Sequence, residues 1–189
     1  MRSFYLLSRT FPSPLKPQID RGIVDEETAE ICSCVRAALF LSHDIRRDVQ
    51  VHLIASDENR EIVIDGSKVR YLSPDERSIC MLLIKMNEKK SSRRPWRGVT
   101  AKPFTSLQDS IPPGTVLVAL SGHGRDVRQL KSLKDVSVVV PLYPLSRDEE
   151  QSLKQLRAIP VKRRKTLPSH FIVLLNNYLD LLEAQPCTP

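Results

Sequence analysis

The sequence predicts an α/β layered protein, and three observations carry that expectation. Residues 115–121 and 136–140 are short apolar runs bounded by turn residues, as in strands buried on both faces of a parallel sheet. Helical periodicity follows at residues 147–158 and from about Ser169 to Glu183, so strands alternate with helices through the second half. The 189 residues are 41% hydrophobic and 27% charged, which supplies a self-sufficient core and excludes wholesale disorder. A single domain over residues 1–189 is expected.

Taken in order, residues 2–7 are a short strand, and Pro12, Pro14 and Pro17 mark a loop. From Asp25 the pattern turns helical, with Ile31, Cys34, Val35, Ala38, Leu39 and Leu41 recurring at helical spacing. Asp25, Glu26 and Glu27 place carboxylates at the positive end of its dipole. Residues 49–55 and 61–64 are strand-like, and Asp65-Gly66 is a turn into a further extended stretch at 68–72. Ser73-Pro74-Asp75-Glu76 starts a helix: Ser73 caps, Pro74 takes the first helical position and Glu76 completes a capping box. That helix continues through Ile79, Leu82, Leu83 and Met86. Residues 89–102, with Lys89, Lys90, Arg93, Arg94, Arg97 and Lys102, form an exposed basic loop. A short strand is expected near 159–161, and Asp148, Glu149 and Glu150 are first-turn charges of the helix before it.

Composition narrows the function classes. Twenty-nine Lys and Arg against 22 Asp and Glu leave a net charge of +7, which favours a polyanionic partner because neutralised phosphates release counterions. The longest apolar runs, such as 171–175, fall far short of the roughly 20 residues a membrane span needs. The N-terminal stretch is too short and strand-like for a signal peptide. Four scattered cysteines make no disulfide framework, so a reducing cytoplasm is the expected compartment. Only 6 glycines leave little material for phosphate-cradling loops.

The densest polar cluster is Ser42-His43-Asp44-Ile45-Arg46-Arg47-Asp48, where the first long helix ends. Two readings stay open on the residues alone. The arginines and histidine satisfy helix carbonyls and the dipole, or the arginine forks clamp phosphate while Asp44 and Asp48 orient them. A carboxylate here can also accept a proton from an acidic ring nitrogen. Cys32 and Cys34 lie two apart on a helix and point in different directions; with no second ligand pair they are core residues, and no metal is expected. Cys80 is expected in the core, Cys187 in a tail, and His52 at a strand surface or edge. Ser121-Gly122-His123-Gly124-Arg125-Asp126 follows a strand, where α/β sheets bind ligands. Trp96, among arginines, suits either base stacking or the covering of an apolar patch.

Residues 40–49, Phe-Leu-Ser-His-Asp-Ile-Arg-Arg-Asp-Val, followed by Leu72-Ser73-Pro74-Asp75-Glu76-Arg77, strongly resemble the archaeal tRNA pseudouridine-54 N1-methyltransferases of the SPOUT superfamily. Met1, Arg2, Phe4 and the helix with Cys32 and Cys34 fit the same family, and the resemblance is best over residues 1–127. A related rRNA pseudouridine methyltransferase matches these motifs less well. The resemblance implies a parallel sheet flanked by helices with a C-terminal trefoil knot, residues 1–110 forming the RNA half and 111–189 the cofactor half. It implies S-adenosylmethionine as cofactor, tRNA as partner and a homodimer, or a heterodimer with a paralogue. By the same resemblance Asp44 takes or orients the nitrogen's proton, His43, Arg46, Arg47, Arg77, Arg93 and Arg94 hold RNA, and Leu120, Gly124 and His170 hold the cofactor.

The chain departs from the family's pattern in the cofactor half. Where a Gly-Asp-His run is usual, it has Val140-Pro141-Leu142-Tyr143-Pro144-Leu145-Ser146. The third loop is shortened to Lys162-Arg163-Arg164-Lys165, and Phe171 follows His170 where the family has cysteine. Prolines remove amide donors, and a cationic loop repels a sulfonium. Two expectations follow: an active methyltransferase with an altered cofactor loop, or a degenerate relative that binds structured RNA or pairs with an active paralogue.

Overall fold

The computed structural model describes residues 1–87, 96–130, 135–162 and 166–184. Its central strand, β1 (Arg2–Ser8), is flanked by β2 (Val49–Ala55) and β6 (Val136–Pro141), both parallel to it. Beyond β6 lie β5 (Val116–Ser121) and then β7 (Ile159–Lys162), also parallel. Beyond β2 the sheet turns antiparallel with β3 (Arg60–Asp65) and β4 (Val99–Pro103), giving the order β4-β3-β2-β1-β6-β5-β7.

Strand alternation divides the core in two. Phe4 and Leu6 of β1 face one layer, with α1 (Lys16–Asp20), α2 (Glu26–Leu39), α3 (Glu76–Asn87) and α6 (Pro168–Ala184) packed over it. Tyr5 and Leu7 face the other, covered by α4 (Leu107–Ser110) and α5 (Arg147–Gln155). The predicted helical spacing in α2 holds for Ile31, Cys34, Val35, Ala38 and Leu39, which are all buried, but not for Leu41, which lies past the end of the helix and is exposed. Asp25 caps it by accepting the Thr28 N–H at 2.8 Å. Ser146 and Glu149 close a capping box at the start of α5. Among the described residues no helix is long and apolar enough to cross a membrane.

Four local expectations are corrected. Residues 68–72 are not a strand. The free edge of β3 is taken by β4, drawn from the supposed basic loop, and the chain after β3 folds back so that Lys68 and Val69 donate to the Asp65 carbonyl. Gly66 is required at that bend, because a Cβ there would lie 2.1 Å from the Arg46 carbonyl oxygen. The cap of α3 is Asp75 rather than Ser73: Asp75 Oδ1 accepts the Ser78 N–H at 2.8 Å, while Ser73, held extended before Pro74, donates its own N–H to Ser78. Pro17 starts α1 instead of lying in an open loop. His52 is neither exposed nor at an edge. It is 5% exposed on β2, stacked on Tyr5 at 4.3 Å, with Nδ1 2.5 Å from Glu61 Oε1. Burial pushes Glu61 up, but hydrogen bonds from His52 and Ser110 outweigh it and hold the carboxyl below its ordinary value.

One ion-pair node joins the chain's beginning, middle and end. Arg2, 2% exposed, donates to Asp180 of α6 at 2.7 Å and lies 3.0 Å from Glu183. Arg46 meets the same Asp180 with both terminal nitrogens, at 2.9 and 2.6 Å. Burial pushes Asp180 up, yet the bonds from Arg46 and Arg2 leave its carboxyl below the usual range. Its contribution is therefore full above an unfolded value near 3.9 and is lost as pH falls through its lower folded value. We predict that Asp180→Asn lowers the melting temperature at pH 7 by roughly 4–10 °C, the equivalent of about 2–3 kcal/mol, and that the difference from wild type shrinks in thermal melts as pH falls below the ordinary carboxylate range.

Candidate functional site

Two groups of polar residues gather at opposite ends of the parallel strands. The first follows α2, where Phe40 and Ile45 form an isolated bridge and the Leu41 N–H donates to the Asp44 carbonyl, a tight turn that exposes residues 42–44. Asp44 Oδ1 accepts the Ile45 N–H at 2.7 Å and Arg47 Nη2 at 3.1 Å. The Ile45 bond, the Arg47 charge and the field of Arg70 hold the Asp44 carboxyl below its usual range. Arg47 also reaches the Gly66 carbonyl at 3.1 Å, which leaves it half-exposed beside Asp44. His43 is exposed on the same turn. Arg77, further along on α3, is exposed and paired with Asp20 at 2.8 Å.

Arg46 is placed differently from its expected role. It is 12% exposed and committed to Asp180, so it fixes the turn instead of presenting itself to a ligand. Arg93 and Arg94 lie outside the described residues. Trp96 is half-buried, with its indole N–H on the Arg70 carbonyl at 2.9 Å and the Lys85 ammonium over its ring at 4.8 Å. Both of its recognition features are therefore used within the chain.

The second group lies at the carboxyl ends of β5 and β6, the end at which open α/β sheets bind ligands. A cleft of about 550 Å³ opens there between Leu120, Ser121, Gly122 and His123 on one side and Tyr143 and Lys154 on the other. That volume is within the range of cofactor sites. Gly122 has nothing within 4 Å of the position of a Cβ, so a ligand can approach its backbone. Gly124 is closed to a ligand on that side. A Cβ on it would lie 2.4 Å from the Pro160 carbonyl oxygen, because the segment docks on β7 through Arg125 N–H to Pro160 O and Lys162 N–H to Arg125 O. Leu120 lines the cleft, whereas His170, on the first turn of α6, lines a separate groove between α2 and α6 with Ser33, Arg36 and Phe40.

The loop after β6 is held by side chains. Tyr143 donates to Glu149 at 2.6 Å, Arg9 meets both oxygens of Glu149 at 3.2 and 3.3 Å, and the Arg9 guanidinium lies 4.0 Å over the Tyr143 ring. Burial and the Glu149 contact push the Tyr143 phenol up to about 12, so it stays a donor. The loop's amides are largely consumed: Leu142 donates to Leu7, Ser146 to Glu149, and Pro141 and Pro144 have none. Recognition in this cleft falls to side chains. Glu150 and Lys154, one turn apart on α5, supply opposite charges along its wall. Lys154 and Glu150 are the charges that the carboxylate and ammonium of an adenosyl amino acid would require, and Leu120, Leu145 and Leu153 would supply its apolar contact.

Comparison with known proteins decides the family. The family model described as "Putative SAM-dependent RNA methyltransferase" matches residues 1–184. The chain belongs to that family. It is 35% identical to a protein of Methanococcoides burtonii named tRNA (pseudouridine(54)-N(1))-methyltransferase, over 79% of this chain and 81% of that one. It is 30% identical to the protein of the same name in Haloarcula marismortui, over 95% and 96%. Its fold is similar to that of Archaeoglobus fulgidus Nep1, solved bound to S-adenosylhomocysteine, with a TM-score of 0.62 over 97% of this chain and 98% of that one at 13% identity. The layered α/β architecture expected from the sequence, a largely parallel sheet flanked by helices, is thus present.

Sequence reasoning missed Arg70, Glu150, Lys154 and the Arg9–Tyr143–Glu149 clamp. Glu150 and Lys154 stand at the helical spacing of four after a recognisable capping box, a signal that was available. The clamp joins residues 9, 143 and 149 and had none. We predict that Gly124→Ala lowers the melting temperature by several degrees because its Cβ meets backbone, while Gly122→Ala leaves the melt unchanged; differential scanning fluorimetry of the two variants checks this.

Proposed function

We propose that this protein transfers the methyl group of S-adenosylmethionine to nitrogen-1 of pseudouridine in the T-loop of tRNA, as a cytoplasmic homodimer whose C-terminal half is threaded as a trefoil knot. The observation that carries the reading is the family match across nearly the whole chain, with named relatives up to 35% identical. The cofactor, when bound, supplies an electrophilic methyl group on a sulfonium. Lys154, Glu150 and the open backbone at Gly122 hold it in the cleft.

Asp44 handles the proton on ring nitrogen-1. Its carboxylate, kept ionised by Ile45 N–H and Arg47, accepts a hydrogen bond from that N–H and takes the proton as the nitrogen gains charge. A depressed carboxyl is a weak base toward a neutral ring and a sufficient one toward a ring that has become cationic. Arg47 supplies a half-exposed guanidinium for phosphate beside it.

The placement of these groups supports a dimer. Asp44 is at the amino end of the parallel strands and the cleft at the carboxyl end, separated by strands of 7 residues, roughly 20 Å at about 3.3 Å per residue. Proton acceptor and methyl donor meet only if a second chain contributes one of them. The exposed face of α6 suits such a contact: Leu167, Leu174 and Leu181 recur every seven residues and are each about half exposed, with Val173 beside them.

Calorimetric titration with S-adenosylhomocysteine and a methylation assay on pseudouridine-containing tRNA test the reading. Saturable binding at one ligand per chain with methyl transfer supports it. A folded protein that binds tRNA but neither ligand favours the degenerate reading, for which the two prolines and spent amides of the 141–146 loop are the supporting observation. Asp44→Ala and Lys154→Ala are each expected to abolish transfer, and mixing the two chains under exchange conditions restores about a quarter of wild-type activity through heterodimers with one intact site. Leu174→Asp with Leu181→Asp is expected to give monomers in light scattering and no transfer. Arg47→Ala is expected to weaken tRNA binding and reduce its salt slope by about one, whereas Arg46→Ala acts on the melting temperature instead.

A further inference from the structure

We infer that Tyr71 is a stacking platform for an unpaired base of the bound RNA; this rests on the proposed function and extends its nucleic-acid site beyond Asp44 and Arg47. Tyr71 is 92% exposed, far more than any other large apolar side chain described. Its backbone is left-handed, at φ 61°, a conformation that is unfavourable for a bulky residue and that glycine or asparagine adopts more readily. An aromatic ring in water on a strained backbone contributes nothing to this fold that a glycine would not.

The segment that carries it is firmly held on both sides. Val69 and Leu72 are buried at 1% and 6% exposure, anchoring the residues on either side of the Arg70-Tyr71 pair. The Arg70 carbonyl accepts the Trp96 indole N–H at 2.9 Å, and Lys68 and Val69 donate to the Asp65 carbonyl at 3.0 and 2.8 Å. Gly98 packs so closely beneath that a Cβ there would lie 2.2 Å from the Val69 nitrogen. The ring is thus presented from a fixed base, and little ordering remains to be done on binding.

Its surroundings are cationic. Arg70 is its chain neighbour, and Arg47, which donates to Asp44 at 3.1 Å, also donates to the Gly66 carbonyl at 3.1 Å, so the Asp44 turn is tied to the segment that leads to the ring. Lys68, exposed three residues before the ring, pairs with Asp65 at 3.0 Å and leaves the rest of its ammonium to solvent. Cations that meet phosphates around a free aromatic face are the combination by which proteins hold unstacked nucleotides. A T-loop offers such nucleotides, and the exposed ring of Tyr71 is free to take one.

The test is a fluorescence-anisotropy titration of a pseudouridine-containing T-loop hairpin at three salt concentrations, with a second hairpin carrying 2-aminopurine in the loop. Tyr71→Phe is expected to bind within about twofold of wild type, and Tyr71→Ala and Tyr71→Gly about tenfold more weakly. The salt slope should be unchanged in all three, since no charge is removed, and 2-aminopurine quenching should be lost with the ring. Tyr71→Gly should melt no lower than wild type, which separates a binding role from a structural one. Wild-type affinity in Tyr71→Ala, with Arg47→Ala still weakened, overturns this inference and leaves the proposed function standing. A wild-type protein that does not bind the hairpin overturns both.

Discussion

Asp180 sits between two guanidiniums, and much of the architecture depends on that arrangement. Arg2 opens the central strand, Arg46 lies in the polar turn after α2, and Asp180 belongs to the last turns of the last helix. Neither arginine could stay buried without a carboxylate, because an unpaired charge out of water is far costlier than an ordinary lost contact. The node therefore couples docking of α6 to the position of the turn that carries Asp44 and Arg47. Asn176, buried one turn earlier on α6, strengthens the same seam by donating to the Ala37 carbonyl of α2 at 3.0 Å and accepting from Arg2 at 3.2 Å.

Sheet polarity sets the second constraint. The central run β2-β1-β6-β5-β7 is parallel, so every loop after β5, β6 and β7 opens at one end and every loop before β1 and β2 at the other. A ligand cleft at the carboxyl ends and an acidic-basic turn at the amino ends are both ordinary products of such a sheet. Their separation across the layer is what gives the proposed dimer a chemical purpose, since a partner chain would complete each site.

The cleft is lined by side chains more than by free amides. Prolines and internal hydrogen bonds remove most of the amide donors in the 141–146 loop. In their place stand the Arg9–Tyr143–Glu149 clamp, which stiffens the loop, and Glu150 and Lys154, which provide charge. The scarcity of glycine, which argues against a cradle of amides, is consistent with the cleft that is present.

Much of this was legible in the sequence. The alternation of strand and helix, the buried faces of α2 and α3 and the parallel character of β5 and β6 follow from periods and local hydrogen-bonding chemistry, which act over a few residues. The family resemblance was carried by residues 40–49 and 72–77, and Asp44 and Arg47 do lie together on an exposed turn. Tertiary structure decided what depends on partners distant in the chain. Arg46 and Arg47 are adjacent and chemically identical, yet one is spent on Asp180, 134 residues away, and the other faces solvent. Gly124 looked like a ligand-facing glycine and is a packing glycine, because β7 lies against it. His52 looked peripheral and is central, since β3 and β4 extend the sheet beyond β2 and put Glu61 beside it. Sequence periodicity records which face of an element is apolar; which element arrives to cover that face, and which charges it brings, is settled only when the chain closes on itself.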